Sequence, residues 1–104
     1  MIGWFDFDGN PVSIEEWDRL FQDLQRRQVA RTKVGDAEVS TVWIGLDHRM
    51  PPPLDPPGPP LIFETMIFAG DEELDGYCWR WPNKDAALAG HDQAVALARE
   101  RVHR

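Results

Sequence analysis

Three polar residues stand where the surrounding pattern asks for apolar ones, or where a strand ends: His48 beside Asp47, Glu64 within an apolar run, and His91 on a helical stripe. A carboxylate and two imidazoles could hold a metal ion with one position left open, or act as an acid and base pair. Their spacing is not that of a ligand motif, since no HExxH occurs and each residue comes from a separate element. They can work together only if the fold gathers them. The competing reading is a buried polar network in which Glu64 accepts from Arg80 or from a histidine, because unpaired charge in a core is expensive. His48, Glu64 and His91 are therefore the candidates for chemistry; none is assigned as catalytic, and no metal or cofactor is expected.

A second group suits binding better than catalysis. Asp71, Glu72, Glu73 and Asp75 lack the ligand spacing of an EF-hand loop, so a solvated acidic loop is expected. Directly after it, Tyr77, Trp79 and Trp81 alternate along one strand face, where they can cover a helix or meet a partner. Together with Asp47 and His48, these are the candidate binding residues. Cys78 has no CxxC partner and is read as an ordinary strand thiol. No Gly-rich phosphate loop, nucleophile elbow or basic and aromatic interleaving is found.

The elements that must position these residues follow from periodicity and turn chemistry. Ile2 to Phe7 alternates loosely and meets Asp8-Gly9-Asn10-Pro11, which predicts a short edge strand and a bend. Ser13 to Glu16 fits a capping box, with the Ser13 hydroxyl accepting from the Glu16 amide and the Glu16 carboxylate reaching back. Trp17, Leu20, Phe21 and Leu24 then recur at helical spacing and predict an N-terminal helix with one stripe toward the core. From Gln28 the period becomes two, and Gly35-Asp36 predicts a two-residue hairpin turn. The resulting register pairs Lys33 with Glu38, Thr32 with Val39 and Val29 with Val42, with the return strand continuing to His48.

The prolines of segment 51–60 force an extended loop. Leu61 to Phe68 is apolar on both faces apart from Glu64 and Thr65, as a central strand covered on both sides would be. Past Pro82, Asn83 can cap a C-terminal helix whose inward stripe is Leu88, His91, Val95, Ala98 and Val102, with Gly90 marking close approach to the sheet. The expected fold is one α+β domain over residues 1–104: a mainly antiparallel sheet of four to five strands, with an N-terminal and a C-terminal helix packed on it.

The net charge of −7 is concentrated in residues 35–81, which hold two basic and nine acidic side chains, while the flanking segments nearly balance. Such a region repels phosphate backbones, so nucleic acid is a disfavoured partner; a basic protein surface, or one that nucleic acid normally occupies, suits it better. A single cysteine permits no internal disulfide and fits a reducing compartment. Met1 to Asp8 has no basic leader, and no apolar run reaches the roughly 18 residues of a membrane span, so neither secretion nor membrane insertion is expected.

Taken in order, Gly9-Asn10-Pro11, Glu16-Trp17, Val39 to His48, Pro59 to Phe68, Trp79-Arg80-Trp81 and Ala87 to His91 resemble a family of small proteins encoded by actinobacterial phages and their hosts. The resemblance implies a phage or prophage origin and a setting in the host cytoplasm, and it implies no activity. Segment 51–58 departs from the short Gly-rich link of such proteins. The leading expectation is a non-enzymatic phage accessory protein that binds a host protein, in host takeover or counter-defence, through the acidic and aromatic middle; a homodimer is left open. The alternative is a small-molecule or nucleotide-binding module with metal or hydrolytic chemistry at His48, Glu64 and His91.

Overall fold

The computed structural model describes residues 3–50, 53–70 and 74–102. In chain order its elements are β1 (Gly3–Trp4), α1 (Ile14–Phe21), α2 (Leu24–Arg27), β2 (Gln28–Val34), β3 (Ala37–Trp43), β4 (Leu46–Asp47), β5 (Phe63–Phe68), β6 (Cys78–Trp81) and α3 (Lys84–Val102). Strands β2-β3-β5-β6 form an antiparallel sheet, and β1 pairs with β4 in a separate two-stranded ribbon. Helix α3 packs on one face of the larger sheet, which gives the α+β arrangement that the patterns predict. No described helix is long and apolar enough to cross a membrane.

Local chemistry explains the start of the chain. The Ser13 hydroxyl accepts from the Glu16 amide at 3.1 Å and caps α1. The Glu16 carboxylate does not reach back as a full capping box requires; it pairs with Arg19 one turn on. Trp17, Leu20 and Phe21 enter an apolar cluster with Trp43, Ile62, Phe63 and Ala87. Leu24, expected on the same stripe, is exposed, because Asp23 caps a separate single turn, α2, that redirects the chain into β2.

The hairpin register holds next to its turn and slips further away. Lys33 stands opposite Glu38 and Thr32 opposite Val39, as predicted. A bulge between Gln28 and Ala30 pairs Gln28 with Val42 and frees Val29 to join the cluster around Trp43. The return strand ends at Trp43 and not at His48. The reason is Gly45, at φ +64°, which turns Leu46-Asp47 away to pair with β1.

Along β3 the side chains of Ala37, Val39, Thr41 and Trp43 are buried beneath α3 and its neighbours, while Glu38, Ser40 and Val42 point to the opposite face. Strand β5 alternates likewise, and Phe68 is half exposed. The expectation of cover on both faces is therefore corrected: among the described elements, α3 covers one face only.

The inward stripe of α3 is also shifted from the one predicted. Ala87, Gly90, His91, Ala94, Val95 and Ala98 are buried, whereas Leu88 and Val102 are largely exposed. Bulky Trp79 and Trp81 already fill the space between helix and sheet, so small helical residues must face them. A Cβ placed on Gly90 would lie 2.1 Å from the Trp81 ring. Gly90→Ala is thus expected to destabilise by about 1–2 kcal/mol, crowding outweighing the roughly 1 kcal/mol that alanine adds to helix propensity. Urea unfolding followed by far-UV circular dichroism reads the sign, and a more stable variant would contradict the packing.

Candidate functional site

Arg80 links His48 and Glu64 on the open face of the sheet. Glu64 on β5 stands opposite Arg80 on β6, whose Nε donates to Glu64 Oε2 at 3.1 Å. Arg80 Nη1 donates to His48 Nδ1 at 3.0 Å. Asp47, next in chain to His48, accepts from both the side chain and the backbone of Arg49. Burial acts to raise the Asp47 carboxyl, but the bonds from Arg49, then its charge and that of His48, hold it below the ordinary value. Arg49 also donates to the carbonyls of Gly58 and Pro59, which ties the proline-rich loop down.

This row has the makings of a structural ion pair. Cys78, beside it on β6, has its thiol pushed up by burial and by the charge and hydrogen bond of Glu64, so it stays protonated at neutral pH. Among the described residues no cluster of three or more His, Cys, Asp or Glu could hold a metal ion. With Arg80 about a third exposed, its pair with Glu64 contributes on the order of 0–1 kcal/mol.

His91 does not belong to this row. It lies on the other face, beneath α3, and is only 3% exposed. Its Nε2 meets Thr32 Oγ1 at 2.9 Å and its Nδ1 meets Thr41 Oγ1 at 2.8 Å. Thr41 continues to Thr65 at 2.6 Å, and Trp81 Nε1 donates to Thr65 Oγ1 at 2.9 Å. The three candidates for chemistry therefore never share a pocket. Of the two buried threonines, Thr65 stands out in the sequence only as an exception in its apolar run and Thr41 not at all, although each sits at an inward position whose neighbours two residues away are apolar.

The candidate binding residues divide in the same way. Trp79 packs against the core and Trp81 is half-buried, while Tyr77 stacks on Trp79 at 5.5 Å and stays 40% exposed. Asp75 accepts from the Ala69 amide at 3.0 Å and shapes the β5–β6 turn. Asp71, Glu72 and Glu73 lie outside the described residues.

The sheet register adds what sequence alone did not indicate. Glu38 stands opposite Phe68, so the Gly35-Asp36 turn and the β5–β6 connection fall at the same end of the sheet. A shallow groove of about 550 Å³ opens there between Gly35, Asp36, Gly70 and Leu74. That end gathers Asp36, Glu38 and Asp75 with the exposed rings of Phe68 and Tyr77, and segment 71–73 adds three further acids to the connection in sequence. Glu38 is paired with Arg31, which holds its carboxyl below the ordinary value. Comparison with known protein families, with curated proteins and with solved structures finds no match.

Proposed function

We propose that this chain is a non-enzymatic accessory protein of phage or prophage origin that binds a host protein through the turn end of its sheet, in the host cytoplasm and in the service of host takeover or counter-defence. The observation that supports it most is the register Glu38 to Phe68, which puts both hairpin connections, the acids Asp36, Glu38 and Asp75 and two exposed aromatic rings at one end. Aromatic residues on such a rim are the usual anchors of protein interfaces, and the surrounding acids select a basic partner surface while repelling phosphate. Two copies of the chain would bring like charges together at this end, which argues against self-association there. The alternative reading, a nucleotide or small-molecule site at His48, Glu64 and His91, requires one pocket for three residues that occupy opposite faces of the sheet.

The test is an affinity capture from actinobacterial lysate with the wild-type chain and a Phe68→Ala, Tyr77→Ala variant side by side. Phe68 is 50% and Tyr77 40% exposed, and far-UV circular dichroism of the variant checks that it keeps its fold before capture. A basic protein enriched on the wild type, weakened about tenfold or more by the variant and released by moderate salt is the expected result. Equal recovery by both chains, or a captured protein indifferent to salt, overturns the assignment.

A further inference from the structure

Helix α3 is joined to the sheet by a chain of hydrogen bonds that runs in one direction. Trp81 Nε1 can only donate, so Thr65 Oγ1 accepts from it. Thr65 is wholly buried and Thr41 is the acceptor found for its proton among the described residues, so leaving no buried donor unpaired requires Thr65 to donate to Thr41 and Thr41 to donate to His91 Nδ1. Nδ1 is therefore the bare nitrogen, and Nε2 carries the proton that it donates to Thr32 Oγ1. Every donor of the wholly buried groups then has an acceptor, and the Thr32 hydroxyl, which is only partly buried, is the one left to face outward. A second proton on the ring has no place here: it would face the Thr41 proton, and reversing Thr41 would leave the Thr65 proton without an acceptor.

The position in the core gives this a structural consequence. His91 lies between the two apolar clusters, one around Val39, Ile67 and Val95 and the other around Trp43, Phe63 and Ala87. The ring bonds Thr32 on β2 and Thr41 on β3 directly, and the chain continues from Thr41 through Thr65 on β5 to Trp81 on β6, so one hydrogen-bonded path joins α3 to all four strands. The inward positions of those strands carry no ionisable group. Their charged residues, Arg31, Lys33, Glu38, Glu64 and Arg80, project from the opposite face. On α3 itself, Asp92 is the charge that acts on the ring.

We infer that His91 is an acid-sensitive latch, and that protonation of its ring releases α3 from the sheet. Burial disfavours the charged ring, and Asp92 opposes this more weakly, so the folded chain binds the proton less readily than the unfolded chain, whose histidine titrates near 6.5. The unfolded state thus holds more protons on the acid side of 6.5, and stability falls as pH drops through that range. It is fully present above about 6.5.

The experiment measures amide protection factors along α3 between pH 7.5 and 5, above the range in which the carboxylates protonate, for the wild type and for His91→Gln, whose amide can replace one donor and one acceptor. Wild-type protection is expected to fall by up to about tenfold per pH unit below the ring's unfolded value, with the glutamine chain flat. Nitrogen NMR of the wild-type ring provides a second readout that needs no variant. It should show the Nε2–H form at pH 7.5 and a midpoint below 6.5. Protection that stays level in the wild type, an equal fall in both chains, or a ring midpoint at or above 6.5 overturns the latch.

Discussion

Trp43→Ala is expected to lower the free energy of unfolding by about 3–5 kcal/mol, the usual cost of removing a large buried aromatic side chain. Trp43 is wholly buried at the end of β3, stacked on Phe7 at 4.1 Å and close to Phe21 on α1. Its Nε1 donates to the Asp6 carbonyl at 3.1 Å, while its own carbonyl accepts from Arg27 Nε at 3.2 Å. Arg27 in turn lies over the Phe21 ring, 3.4 Å from its centroid, and that burial lowers its pKa. The indole therefore fastens the N-terminal segment and α1 to the sheet, while the backbone carbonyl of the same residue holds α2. Against a total of about 5–15 kcal/mol for a domain of this kind, the alanine chain should be partly unfolded at 37 °C. Trp43→Phe keeps a ring and loses the bond to the Asp6 carbonyl, which still accepts from the Gly9 amide, so it should cost about 0.5–1.5 kcal/mol, the net worth of one hydrogen bond. Urea titrations of the two variants give both numbers, and an alanine chain as stable as the phenylalanine one would refute this placement of the residue.

Gly45→Ala should cost about 2–4 kcal/mol, combining strain at positive φ with crowding. Gly45 is the corner between the two sheets: its amide donates to Ile62 and its carbonyl accepts from Phe5. A Cβ there would lie 2.3 Å from the Trp43 ring and 2.7 Å from Trp17 Nε1, which itself donates to the Ile44 carbonyl. The two causes can be separated. Asparagine tolerates the left-handed conformation but still carries a Cβ. If crowding dominates, Gly45→Asn should be nearly as destabilised as Gly45→Ala, with hydrogen exchange at residues 3–5 and 46–47 faster in both. A Gly45→Asn chain close to wild type would assign the effect to strain alone.

Much of the scaffold is legible in local chemistry. Ser13 caps α1, Gly35-Asp36 makes the turn that sets Lys33 against Glu38, and Asn83 Oδ1 accepts from Ala86 to start α3. Each of these depends on residues within a few positions of one another, where steric and hydrogen-bonding preferences act without help from the rest of the chain. The inward direction of His91 and the close approach at Gly90 also followed from helical spacing.

What escaped prediction depended on distant partners. Val39 to His48 reads as one strand because nothing within it shows that Trp17 and Trp43 crowd Gly45 into a corner. Leu61 to Phe68 is apolar at both parities, so it carries no signal for which face the helix covers; pairing of Thr41 with Thr65 decides that, and with it the side on which Glu64 emerges. Local patterns were enough for most of the elements, for the acidic middle and for the polar residues worth watching, but not for α2 or for the break between β3 and β4. Only the tertiary structure sent His48 and Glu64 to one face and His91 to the other, because the side a strand residue faces is set by its register with neighbours far away in the chain.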